Sequence, residues 1–394
     1  MKMWIYIVRR AILLLPVIIG VMTITFLLIN AIPVEERLIS ILGPSKVPYT
    51  PMIPCSDLNR SLTGQCWNPT YNATLHRAGL DTPVEEQWVV YVFHSLTLNW
   101  GLTDSHSYAS TAFALTDAVP VTTVLGYYLP RTLELAAVSL IFILALAIPI
   151  GNYSAVYRNR PLDQGARILS FSGFALPGFL LATLALIAAT YLSGGFTPLC
   201  NSTSFPLYQW YGSWPQWSCV PGGQPTWIGS YQQTTPTGFP TFDAIYHQNW
   251  YLAFDSVKRL IIPSLVIAYG AIAGILRFVR NSMLEVMNLD FVRTARAKGV
   301  PEGTVVRRHA GRNSLNVTIT VLGLVFAGFI GGFPIIEFIF NTRGIGLILT
   351  YSILQPYDYG LIFGSTLLFT IIVVIANIIV DVLYAYLDPR VRLG

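Results

Sequence analysis

The chain has 394 residues, of which 53% are hydrophobic and 11% charged, with a mean hydropathy of +0.56. Soluble domains carry about a quarter charged residues, so this composition excludes a water-facing shell over most of the chain and requires lipid as solvent. The net charge of +5 follows from how Lys and Arg are distributed, and nucleic acid is not needed to explain it.

A bilayer core about 30 Å thick takes roughly 20 apolar residues per helix. Six runs reach that length: Ala11–Ile32, Thr132–Gly151, Leu169–Leu192, Leu260–Val279, Val317–Ile339 and Gly360–Leu387. The first follows Arg9 and Arg10 as a signal peptide would. It is longer than a signal core and lacks a small-x-small cleavage site, so a retained span is expected. The chain then divides into an N-terminal tail with the first span (1–32), an outer loop (33–131), spans two and three (132–192), a second outer loop (193–259), and spans four to six (260–394). A long inner loop, 280–316, separates spans four and five.

With the N-terminus inside, the inner segments hold sixteen Lys and Arg with six acids, and the outer side eight with thirteen. This positive-inside bias predicts an all-α membrane protein of about six transmembrane helices, with both termini cytoplasmic and two large extracellular loops.

All four cysteines fall in those outer loops: Cys55 and Cys66 in the first, Cys200 and Cys219 in the second. Each loop can close its own disulfide in an oxidising space, with cross-loop pairing or free thiols as alternatives. Sequons at Asn59, Asn72 and Asn201 lie in the same loops. Their use would point to an archaeal cell surface or a eukaryotic secretory membrane. The second loop also concentrates Tyr208, Trp210, Tyr211, Trp214, Trp217, Trp227 and Tyr231. Such aromatics suit a packed outer cap, and also a face on which a sugar or partner protein stacks.

The inner loop, Asp290 to Leu315, reads as two short helices. Gly299 suits the left-handed position that ends the first, Pro301 has the φ that starts the second, and Glu302 favours that helix's positive end. Small Ala295, Ala297 and Gly299 allow close approach of a partner backbone. The plainer alternative is an ordinary positive-inside loop. A DNA-binding helix-turn-helix is a poor alternative, since the spans on either side would pin it to the bilayer.

The run Asp-Phe-Val-Arg-Thr-Ala-Arg-Ala-Lys-Gly ending at Gly299 resembles the cytoplasmic EAA-type loop of ABC importer permeases. It is most similar to the dipeptide/oligopeptide (nickel) family with the binding-protein-dependent type I transmembrane fold. Arg293, Thr294 and Ala295 stand where the general pattern has Glu-Ala-Ala, so only Ala295 and Gly299 match it. Similar pieces follow in order: Arg9–Gly20 with Phe26–Pro33, Leu129–Glu134, Glu337–Gly346, where Thr342 and Arg343 replace Trp-Pro, and Asn377–Arg392. The stretches Val34–Trp88 and Gly194–Tyr251 look like additions.

The resemblance implies that the inner loop is a coupling helix-turn-helix docking into an ATPase subunit through Asp290, Arg293, Ala295, Arg296, Lys298, Gly299 and Glu302. It further implies a second homologous permease, two ATPase subunits carrying ATP and Mg, an extracellular solute-binding protein, and the plasma membrane of a prokaryote, which with the sequons points to an archaeal origin. Among ionisable groups in the apolar runs, Glu134, Glu337 and Asp381 have structural or interfacial roles as the plain reading. Glu337 and the adjacent Phe338 are the candidates for lining a solute path.

No lysine precedes Ser or Thr in a Walker A arrangement, and no metal or nucleophile motif is present. The chain is therefore expected to bind no cofactor or metal, to have no catalytic residues, and to depend on partners for energy. The resemblance implies di- or oligopeptides as cargo, with oligosaccharides as the alternative. A secondary transporter or a membrane-embedded glycosyltransferase is more remote, since neither repeated broken spans nor a cluster of acids at one face stands out.

Overall fold

The computed structural model describes residues 3–32, 34, 52–54, 65–67, 73, 75–76, 79–103, 107, 109, 119–192, 237–311, 313–314, 333–354 and 357–387. Contacts divide the chain into two compact units. The first comprises Met1–Ala11, Tyr128–Leu347 and Val373–Gly394, and the second Ile12–Tyr127 and Ile348–Ile372.

The described residues are almost wholly helical. In chain order they form α1 (Met3–Asn30), the strands β1 (Met52–Pro54) and β2 (Gln65–Trp67), α2 (Val84–Leu96) and α3 (Val121–Val156). Next come α4 (Pro161–Ala175), α5 (Gly178–Leu192), α6 (Pro240–Tyr246), α7 (Trp250–Met287), α8 (Asp290–Ala297) and α9 (Glu302–Thr304), which continues into a wider π turn over Val305–Ala310. The last are α10 (Phe333–Ile339), α11 (Ile345–Ser352) and α12 (Tyr359–Leu387). The strands form an antiparallel ribbon with Ile53 opposite Cys66.

Among the described residues three helices are long and apolar enough to cross a membrane, Val121–Val156, Ser256–Met287 and Tyr359–Val380, or four if the bent pair α4 and α5 makes one span. At 1.5 Å per residue the 36 residues of α3 extend about 54 Å, beyond the hydrocarbon thickness. Its start at Val121 precedes the expected boundary at Thr132. Pro130 and Pro149 lie inside this helix, as membrane helices tolerate when neighbouring groups satisfy the freed carbonyls. In α1 the described apolar stretch is Leu15–Asn30.

The third apolar run, Leu169–Leu192, is not one straight helix. It is broken between α4 and α5 with a bend of 109°. The cause is local: Leu176 precedes Pro177 and adopts φ −95°, ψ 116°, the extended conformation that a following proline imposes. Of the fifth run, α10 is described; the rest lies outside the described residues.

In the first unit α4 packs closely along α7. A Cβ on Gly173 would collide with that of Ala273. Ser170 donates to the Ala273 carbonyl (2.6 Å), and the Ser172 and Tyr269 hydroxyls share a bond of 2.6 Å. Small residues and hydroxyls are the means by which helices associate where lipid removes the hydrophobic drive. Deeper toward α10, Ala182, Val266, Ile336 and Phe340 form a core cluster.

The second unit is held by Trp88 of α2, which donates to Thr23 (3.1 Å), and by a ring series Phe26–Tyr91–Phe363 with centroids 5.6 and 5.3 Å apart. Buried Asp358 accepts a bond from Ser107 (3.1 Å) and caps the backbone at Leu361 (2.9 Å).

Candidate functional site

The inner loop folds as two short helical segments joined at Gly299. The Gly299 N–H donates to the Arg296 carbonyl (2.9 Å) and the Val300 N–H to that of Ala295 (3.2 Å). These are the paired bonds of a Schellman ending, and Gly299 takes φ +74° as that ending requires. Pro301 stands one position before the second helix, as its N-cap, and Glu302 opens it.

A short helix in water is unstable by itself, so α8 needs an anchor. Val292 and Ala295, three residues apart and therefore on one face, are buried against Met283 and Val286 of α7, Ala155 of α3, Val305 and Ala310. Ala295 thus packs into the chain's own core, because its turn of helix faces α7. Of the residues expected to dock, Asp290, Arg293, Arg296, Lys298, Gly299 and Glu302 are exposed, with Leu289 and Phe291 exposed beside them.

Two of these residues also hold each other. Arg296 donates from Nη2 to Glu302 Oε1 (2.7 Å) and from Nε to Oε2 (3.1 Å), bridging the Gly299 turn. The bond to Arg296 holds the Glu302 carboxyl below its ordinary range and raises the guanidinium. Both partners are substantially exposed, so the pair contributes under about 1 kcal/mol. Its bidentate geometry chiefly orients the turn. Arg293 and Asp290 stand 3.7 Å apart, both widely exposed.

In α10, Glu337 and Phe338 take different directions. Glu337 is 1% exposed. Its carboxyl accepts from the Thr132 hydroxyl (2.8 Å) and the Leu347 N–H (3.1 Å), while the Thr132 oxygen in turn accepts from the Ile345 N–H (2.9 Å). A Cβ on Gly344 would collide with this carboxyl. Glu337 therefore anchors the turn between α10 and α11. Phe338, 45% exposed, is the member of the pair that presents surface.

Glu134 is also buried and accepts from the Thr241 N–H (3.2 Å), tying α6 to α3. Neither glutamate reaches water, because each is used by backbone from another element. Asp381 falls in α12, with its side chain outside the described residues. Cys66 lies on β2; Cys55, Cys200, Cys219, Asn59, Asn72 and Asn201 lie outside the described residues, as does the aromatic cluster of the second loop.

One cluster was not legible in the sequence. Asp163, fully buried at the start of α4, receives Arg280 Nε from α7 (2.7 Å) and Arg167 Nη2 (2.7 Å), together with the Asn159 N–H (2.9 Å). Residues 163 and 280 are joined by no periodicity. The only signal was an acid amid the inner arginines.

Comparison with known proteins places this geometry in a family. Residues 147–393 match the family described as binding-protein-dependent transport system inner membrane component. The chain is 29% identical over 387 residues to the oligopeptide transport system permease protein AppB of Bacillus subtilis (strain 168), covering 98% of this chain and 99% of that protein. It is 32% identical over 324 residues to the probable D,D-dipeptide transport system permease protein DdpB of Escherichia coli (strain K12), with 80% and 82% covered. It is 31% identical over 318 residues to the dipeptide transport system permease protein DppB of Lactococcus lactis subsp. cremoris (strain MG1363), with 81% and 84% covered. With a family match over more than half its length and helices built to cross a bilayer, the chain belongs to the inner membrane components of binding-protein-dependent transport systems.

Proposed function

We propose that this chain is a permease subunit of an ATP-driven importer of di- or oligopeptides. In this reading it pairs with a second permease, receives solute from an extracellular binding protein, and takes its energy from two ATPase subunits docked on α8. The chain is the membrane component of such a system and not its ATPase. The proposed topology has about six spans in a prokaryotic plasma membrane, with both termini and the α8 loop cytoplasmic and the two large loops outside. The peptide cargo rests on the names of the relatives, which favour it over oligosaccharides.

The observation that carries the docking role is the mounting of α8. Its apolar face is fixed on the end of the 38-residue α7, while its charged face is left to solvent. A push on α8 is thereby delivered to a helix that crosses the bilayer, which is how a partner below the membrane biases a two-state bundle above it. ATP binding would draw the two α8 loops of the permease pair together and favour the outward-facing state; hydrolysis would reset it.

The test replaces Arg293 and Lys298 together by Glu, which leaves the Arg296–Glu302 clamp in place. ATPase subunits are expected to stop co-purifying and peptide uptake to fall at least about tenfold, as loss of some 1.4 kcal/mol of docking energy gives. Co-purification and uptake at wild-type levels would sink the docking role.

A further inference from the structure

Between α4 and α7, at the end of α7 that leads into α8, lies a cavity of ≈ 370 Å³ lined by Arg158, Arg167, Arg277 and Arg280 and by no acidic side chain. Asp163, behind this wall, is committed to Arg280 and Arg167. Arg158 and Arg277 are exposed and have no ion-pair partner among the described residues. Several guanidinium groups gathered at one site repel one another unless an anion joins them.

The walls change character along both helices in the same direction. Phe174 is shared with a second cavity of ≈ 530 Å³, which takes its lining from Val266 to Phe278 of α7 and from both sides of the α4–α5 break. This lining is apolar. The cationic cavity thus lies at the α8 end and the apolar one deeper along the helices, with Phe174 between them. A molecule that fits both has an anionic head at the cytoplasmic boundary and a hydrocarbon tail directed to the middle of the bilayer.

We propose that these adjoining cavities form a binding site for an anionic phospholipid of the inner leaflet. Its phosphate lies among Arg158, Arg167 and Arg277, and an acyl chain runs past Phe174 toward Val266 and Ile267. Basic pockets between membrane helices on the cytoplasmic side recognise headgroups by this charge pairing. Free phosphate would fill the first cavity alone, and a translocated peptide would enter from the solute path. The inference goes beyond the importer reading and shares with it only the cytoplasmic placement of α8.

The test uses the complete transporter in nanodiscs of phosphatidylglycerol mixed with phosphatidylcholine, and native mass spectrometry of the lipid retained after extraction. Wild type is expected to keep phosphatidylglycerol over phosphatidylcholine by at least fivefold. Arg158→Ala with Arg277→Ala should lose the preference, whereas Arg277→Lys and the off-site Arg160→Ala should keep it. Equal retention of the two lipids by wild type overturns the proposal without reference to any variant. So does displacement of phosphatidylglycerol by millimolar inorganic phosphate, which marks a simple anion site, or by a dipeptide, which marks the solute path. ATPase co-purification is read in parallel, so that loss of docking and loss of lipid binding are separately visible.

Discussion

Two turns of the first unit end their helices with the same backbone bonds and place their polar side chains in opposite environments. At the inner loop, Gly299 and Val300 donate to Arg296 and Ala295; at the outer turn, Asn341 and Thr342 donate to Phe338 (3.2 Å) and Glu337 (2.9 Å). The left-handed residue is Gly299 in one and Asn341, at φ +49°, in the other. The inner turn keeps Arg296 and Glu302 at the surface, while the outer turn buries Glu337 under backbone donors. A Schellman ending fixes the direction of the chain but not the use of its charges. Exposed charge is left available to a partner, whereas buried polarity holds the chain's own elements.

Mutations can break this comparison. Glu337→Ala is expected to be the most damaging, at roughly 2–4 kcal/mol, because it leaves the Thr132 hydroxyl and the Leu347 N–H buried without their acceptor. Glu337→Gln, which retains one carbonyl oxygen, should recover part of the loss. Thermal unfolding of the detergent-solubilised complex reads both. A Glu337→Ala loss no larger than that of Glu302→Ala would remove the distinction between buried and exposed turns.

Gly299→Val should cost about 1–2 kcal/mol, since a side-chain Cβ crowds the carbonyl in the left-handed conformation. Asn341→Gly at the matching position should stay within about 1 kcal/mol of wild type, because both residues accept that conformation. The same unfolding measurement compares them. Faster amide exchange at Val300 in the Gly299→Val protein would locate the damage in the turn.

The smallest effect concerns pH. Glu302 has its carboxyl lowered by Arg296, so the stability their pair contributes is present above the ordinary carboxyl range. It is lost as pH falls through the depressed value, on the acid side of the ordinary carboxyl range. Exchange of the amides from Val300 to Thr304 should be flat from pH 7 to 5 after correction for intrinsic rates and rise only at the acid end. A rise near neutrality would show that another group controls the turn.

Much of the inner loop was legible because its signals are local. A glycine at a helix end, a proline two residues later and an acid behind it dictate backbone geometry within a few residues. The membrane helices were legible as apolar runs, since composition over about 20 residues is itself the physical requirement for a span. The bend at Leu176–Pro177 has a local signal in its proline, to which hydropathy is blind. Burial of Glu337 was harder to see, because nothing near it in sequence announces that Thr132 and Leu347 will reach it.

The sequence by itself determined that this chain lives in lipid and that Gly299 ends a helix, for each follows from composition or from bonds between near neighbours. Only the tertiary structure decided that Ala295 turns inward, that Glu337 anchors a turn, and that Asp163 meets Arg280. Those outcomes depend on which helices lie side by side, and a buried polar group must take its partner from wherever the fold supplies one.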